Sequence, residues 1–226
     1  MDLNAQFDQR VLLHGADMPW VDSPMAGVQR RMLDRIGGEV ARATSIVRYA
    51  PGSHFSPHVH HGGEEFLVLD GVFQDEHGDY PAGSYVRNPP TSRHTPGSKS
   101  GCVIFVKLWQ FDPADRTSVV IDTGKIGRVQ DATRPGAAVT PLFEDERESV
   151  SLETWQPGAR LDCVMPDGAE LLVLAGGLSE GADELRAWSW LRVPRGGRLA
   201  AVARAQGATV WVKTRHLRFV QAPRAD

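Results

Sequence analysis

Hydrophobic positions in this chain gather into short runs separated by glycine and proline, and sustained helical periodicity is scarce. The runs are Ala43 to Tyr49, Glu65 to Leu69, Ser84 to Arg87 and Cys102 to Trp109 in the first half. In the second half they are Val150 to Trp155, Leu171 to Leu174, Trp188 to Val193 and Thr209 to Val212. Each has the length of a β-strand. Turn-forming residues stand between them, at Pro51-Gly52, Asp70-Gly71, His77-Gly78-Asp79, Pro81-Ala82-Gly83 and Pro89-Pro90, and again at Pro157-Gly158 and Pro194-Arg195-Gly196-Gly197. Glycine supplies positive φ and proline presets a turn, so this punctuation predicts an all-β barrel or sandwich. Gly27 to Arg35 predicts a turn or two of helix. The polar stretch Asp112 to Pro135, with one apolar island at Val119 to Ile121, reads as a linker.

The two halves repeat. At an offset of 106 residues Gly52 falls on Gly158, Glu64 on Glu170, Gly71 on Gly177 and Gly101 on Gly207, and Phe105-Val106-Lys107 falls on Trp211-Val212-Lys213. At an offset of 105, Pro89 falls on Pro194 and His94 on Leu199. Matches at near-constant spacing, kept mostly at turn residues, point to two copies of one fold. The expected domains are residues 1–125, with the N-terminal arm, and residues 126–226.

Composition narrows the function classes. A net charge of -3 and the lack of a Lys/Arg cluster give no electrostatic footprint for nucleic acid. No apolar run approaches the roughly 20 residues that span a bilayer, and the N-terminus has no basic segment followed by an apolar one, so no membrane association is expected and the expected location is the cytoplasm. The two cysteines, Cys102 and Cys163, sit in apolar surroundings without a CxxC partner, which excludes a zinc ribbon and predicts buried thiols.

The chemistry is concentrated in the first copy. It reads Gly52-x5-His58-x-His60-x3-Glu64-x6-Gly71, and later Gly83-x5-Pro89-x-Thr91-x2-His94. Alternate residues of a strand share a face, so His58 and His60 can point into one barrel interior, with Glu64 and His94 arriving from neighbouring strands. Three imidazoles and a carboxylate suit one divalent metal ion, Zn, Fe, Mn or Ni, with positions left for water or substrate. An isolated His-x-His pair is common in exposed loops; the joint spacing of four donors with their glycines and prolines is what points to a site. In the second copy the corresponding columns read Val164, Pro166, Glu170 and Leu199, which predicts an interior without metal ligands.

These two segments resemble the two sequence motifs of the cupin superfamily, with Thr91 in place of a Gly and Ser98 in place of an Asn. The run from Ala41 to Ser53, with Gly62-Gly-Glu-Glu-Phe-Leu-Val-Leu69 and Tyr85-Val-Arg-Asn-Pro-Pro90, resembles the ChrR-like cupin domain of a class of anti-sigma factors and its stand-alone relatives, among them β-diketone and hydroxyacetophenone dioxygenases. The likeness covers about residues 20 to 112. It implies two tandem cupin barrels, each a double-stranded β-helix or jelly roll, and assigns His58, His60, Glu64 and His94 as metal ligands by position.

Two functions follow from that resemblance. One is a metal-dependent dioxygenase-like oxidoreductase acting on a small diketone or aryl ketone, with Arg48, Phe66, Tyr85, Arg87 and Trp109 as candidate pocket residues. The other is a non-catalytic zinc-binding sensor related to the ChrR regulators, without their sigma-binding domain. A small-molecule ligand or substrate is the expected partner. Edge strands allow a homodimer, or the two copies can cover each other's edges.

Overall fold

A computed structural model describes residues 1–38 and 40–223. Among them the regular structure is strand, with two short 3-10 turns at Gly15–Asp17 and His216–Phe219. The chain divides into two compact units, one dominated by Met18–Lys125 and the other by Ile126–Val220 together with Gln6–Asp17. The N-terminal arm is thus shared out: Leu3 bridges to Arg35, whereas Val11–His14 pairs antiparallel with Ser189–Val193 of the second unit.

In the first unit a ten-stranded sheet runs Val119–Asp122, Ser84–Asn88, Glu64–Asp75, Cys102–Leu108, Ala41–Tyr49, Val28–Gly37 and Val21–Asp22 along its main path, with three short strands attached. A separate two-stranded ribbon pairs His58–Val59 with Arg93–His94. Phe66, Val68, Phe73, Val86, Ile104 and Val106 form its apolar core, in which the Phe66 and Phe73 rings lie 4.6 Å apart. The second unit carries a nine-stranded sheet with a core of Trp155, Leu171, Val173, Leu191, Val210 and neighbours. The expected all-β architecture is present, and the sheets fit two barrels.

Two local expectations are corrected. Gly27 to Arg35 is not helical: Val28–Gly37 is a ten-residue strand paired along Ala41–Tyr49. Its alternation is broken by a bulge between Met32 and Asp34, and that break imitates a helical spacing of apolar residues. The Val119 to Ile121 island of the supposed linker is a strand as well, pairing with Ser84–Asn88 to extend the first sheet.

Strand register also corrects the repeat. Gly71 and Gly176 each take a positive φ, 70° and 68°, and a Cβ on either would collide with a carbonyl oxygen, that of Gly101 or of Gly207 respectively. Glu65 lies between Lys107 and Arg87 in the ladder, as Glu170 lies between Lys213 and Arg192. Through this region the offset is therefore 105, and Glu170 is the counterpart of Glu65, not of Glu64. The reason is one residue of difference in the loops before Gly101 and Gly207, which carries the later strands to an offset of 106.

Candidate metal centre

The site begins with a two-residue ribbon. His58 and His94 face each other in register, and His60 continues the first strand, its backbone N–H donating to the Ser92 carbonyl and its own carbonyl accepting from Thr91. Glu64 opens the long strand Glu64–Asp75 one turn later. The three imidazole rings cluster with centroids 4.5 to 5.1 Å apart, and one ring nitrogen of each lies within 4.8 Å of the others. His60 and His94 are buried, His58 is partly exposed, and Glu64 is 8% exposed.

The nitrogens are distinguished by what each Nδ1 touches. His58 Nδ1 faces the Ser56 carbonyl oxygen at 3.0 Å, an acceptor only. His60 Nδ1 lies 3.0 Å from Ser92 Oγ, and because that hydroxyl donates to the Pro89 carbonyl at 2.6 Å, it accepts from the ring. His94 Nδ1 lies 3.1 Å from Asp75 Oδ2. With Nδ1 as the N–H in each neutral ring, every Nε2 presents a lone pair. The Nε2 atoms of His60 and His94 are 3.1 Å apart, and Glu64 Oε2 stands 3.3 Å and 3.4 Å from them. Asn88 Nδ2 donates to the same carboxylate oxygen at 3.2 Å, fixing its direction.

Lone pairs crowded in this way repel unless a cation lies among them. Donors each about 2.1 Å from a shared ion stand roughly 3.0–3.4 Å apart in octahedral or tetrahedral arrangements, so these separations fit a metal site. Burial lowers the affinity of His60 for a proton despite the Glu64 charge, which favours the neutral, ligating form. For His94 burial acts in the same direction, but the hydrogen bond to Asp75 and the charge of Glu64 outweigh it and raise the pKa. Asp75 escaped the sequence reading because its place is set by the fold: it ends the strand that Glu64 begins.

A cavity of about 610 Å³ opens on His58, His60 and Glu64, with walls of Val28, Val47, Tyr49, Phe55, Ile104 and Val106. Of the five candidate pocket residues only Trp109 lines it. Phe66 is in the core, Tyr85 donates to Glu65 at 2.6 Å, Arg87 pairs with Asp115 at 3.0 Å, and Arg48 binds Gln29 and stacks over Trp20. Glu65, the neighbour of Glu64, is thus engaged away from the histidines. His61 is exposed, and His216 is buried in the second unit, 3.0 Å from Glu170.

With the corrected register, His58, His60, Glu64 and His94 correspond to Cys163, Met165, Ala169 and Leu199. Cys163 and Leu199 face each other just as His58 and His94 do. Met165, Ala169 and Leu199 belong to the apolar core, and Cys163 packs against it. Val164, one residue off, is 56% exposed. Apolar side chains therefore fill the second interior at the positions where the first has its donors.

A family model described as the ChrR cupin-like domain matches residues 8–112, just under half of the chain. A comparison with curated proteins returns no match. Among solved structures, a candidate dioxygenase from Nostoc punctiforme aligns with a TM-score of 0.75 at 14% identity, over 97% of this chain and 87% of that one. The YlbA protein of Escherichia coli aligns with a TM-score of 0.70 at 13% identity, over 96% and 94%. The bacterial pirin YhhW of Escherichia coli, solved in complex with nickel(II), aligns with a TM-score of 0.67 at 11% identity, over 91% and 98%. Likeness at such identities is likeness of fold. Fold, motif match and donor geometry agree: residues 8–112 match the ChrR cupin-like domain, and the chain has the fold of the cupin structures it aligns with.

Proposed function

We propose that His58, His60, Glu64 and His94 bind one divalent metal ion, Zn, Fe, Mn or Ni, and that the first unit is a dioxygenase-like oxidoreductase acting on a small diketone or aryl ketone. The observation that carries the reading is the convergence of the His60, His94 and Glu64 donor atoms to within 3.1–3.4 Å, beside His58, at the end of a largely apolar cavity. When bound, such an ion acts as a Lewis acid toward a ketone or enolate oxygen. The chain's own contributions are orientation and exclusion of water. Ser56, Ser92 and Asp75 hold the three rings by Nδ1, and Asn88 holds the Glu64 carboxylate. Val47, Ile104 and Val106 give the ligand an apolar bed. The likeness to a candidate dioxygenase supports this choice of chemistry. The free thiols Cys102 and Cys163 suit a reducing compartment, so the proposed location is the cytoplasm.

The match to the ChrR cupin-like domain supports a second reading, a non-catalytic zinc-binding sensor. Elemental analysis of protein purified without chelator, beside the His58→Ala/His94→Ala double variant, tests the site. Near one metal per chain in the native protein and its loss in the variant are expected. Metal retained in the variant would refute the assignment. Oxygen uptake by iron-loaded protein with a panel of β-diketones and hydroxyacetophenones then separates the readings: consumption coupled to substrate loss supports the oxygenase, and its absence in a protein that holds stoichiometric zinc supports the sensor.

A further inference from the structure

The chain has three tyrosines, and two of them are tied to the fold: the Tyr80 hydroxyl donates to Asp75 at 3.2 Å and the Tyr85 hydroxyl to Glu65 at 2.6 Å. Tyr49 differs. It is 6% exposed, yet its hydroxyl makes no hydrogen bond to any of the described residues. A buried phenol ordinarily finds a partner, because a desolvated hydroxyl without one costs stability. The position of the side chain follows from strand alternation. Ala41, Ala43, Ser45, Val47 and Tyr49 are successive same-face positions of the strand Ala41–Tyr49, and all five line the cavity that opens on the histidines.

Two aromatic contacts hold the Tyr49 ring at the histidine end. Phe55 and Phe73 meet it edge-on, with centroids 5.5 Å and 5.8 Å away. Those rings in turn touch the site: Phe55 lies 6.2 Å from the His58 ring, and Phe73 lies 5.9 Å from the His94 ring. Tyr49 is thus one ring removed from two of the three imidazoles. Burial, and then the nearby Glu64 carboxylate and Cys102, raise its pKa well above the ordinary value, so the phenol keeps its proton. The Nε2 atoms and the Glu64 carboxylate offer lone pairs, and Tyr49 brings an O–H to an end of the cavity built of acceptors.

We propose that Tyr49 is a ligand-positioning residue: its hydroxyl donates to a carbonyl or enolate oxygen of the ligand, which enters the histidine end oxygen first and leaves its hydrocarbon part against Val47, Ile104 and Val106. The ketone class of the ligand rests on the proposed function; the hydrogen bond needs no metal. Acetophenone and α-methylstyrene, in which a methylene replaces the carbonyl oxygen, are matched probes. They are titrated by ligand-observed NMR into chelator-stripped and nickel-loaded protein, wild type and Tyr49→Phe. The substitution keeps the ring contacts with Phe55 and Phe73 and removes only the hydroxyl. It is expected to weaken acetophenone binding roughly fivefold to tenfold in the stripped protein and to leave α-methylstyrene binding and metal content unchanged. The infrared carbonyl stretch of bound acetophenone, isotopically labelled at the carbonyl, should lie at lower wavenumber in the wild type than in the variant. Because the hydroxyl has no partner in the fold, Tm should stay the same or rise. Unchanged acetophenone affinity overturns the proposal, as does an equal loss for both probes. So does a lack of binding of either probe at millimolar concentration, and so does a lowered Tm, which would make the hydroxyl a structural one. Failure of the metal reading looks different: nickel neither binds nor alters either affinity, while the dependence of acetophenone binding on Tyr49 persists in stripped protein.

Discussion

Asp75 Oδ2 lies 3.1 Å from Nδ1 of His94, while its other oxygen, Oδ1, accepts from the backbone N–H of His77 at 2.8 Å and from the Tyr80 hydroxyl at 3.2 Å. One oxygen is tied to a turn, and the other orients an imidazole whose Nε2 joins the cluster. Burial would raise the Asp75 pKa, but the His94 and His77 hydrogen bonds outweigh it and lower the value, so the carboxylate stays charged. Partners of this kind commonly govern metal affinity by 10- to 100-fold. Asp75→Asn keeps an acceptor and removes the charge. It should weaken zinc binding by about that factor, as read by competition with a chromophoric chelator. An unchanged affinity would mean that Asp75 serves the turn alone.

Glu170 is fully buried, with His216 Nε2 at 3.0 Å and with Lys213 and Arg192 beside it in the ladder. Removing the carboxylate strands these buried partners. Glu170→Ala should destabilise the second unit by about 3–5 kcal/mol in denaturant unfolding. The metal content of the first unit should not change, because Glu170 is the counterpart of Glu65 and not of a donor. Loss of metal on this substitution would contradict the corrected register.

Thr91 adopts φ 76° where the family motif has a glycine. A β-branched residue in the left-handed region costs roughly 1–2 kcal/mol, and the added backbone freedom of glycine in the unfolded chain takes back about 0.5–1 kcal/mol. Thr91→Gly should therefore stabilise the first unit by up to about 1 kcal/mol, seen as a higher Tm. A lower Tm would show that the Thr91 side chain contributes more than its backbone strain costs.

Cys102 is 4% exposed, and burial pushes its thiol up to about 11. At pH 8 about one molecule in a thousand would carry the reactive thiolate there. Burial also raises the Cys163 thiol, but that residue is only partly buried. Native protein titrated with a disulfide reagent at pH 8 should release no more than one equivalent, mapped to Cys163 by mass spectrometry. Two equivalents should appear in denaturant. Labelling of Cys102 first would contradict its burial.

The sequence by itself settled the all-β class, because strand-length apolar runs between glycines and prolines leave little room for another architecture. It also placed His58, His60, Glu64 and His94 together, since the period-2 alternation of a strand and the fixed motif spacing are local properties. The structure clusters the three histidines and sets the Glu64 carboxylate 3.3 Å and 3.4 Å from His60 and His94. What sequence could not supply depends on register. A single bulge near Leu33 turned the strand Val28–Gly37 into an apparent helix. One residue of loop length moved Glu170 from the column of Glu64 to that of Glu65. Asp75 reaches His94 across 19 residues of chain. Hydrophobic pattern reports which way a residue points only while alternation is unbroken. Once a bulge or a loop insertion intervenes, the pairing between strands decides the face, and that pairing exists only in the folded chain.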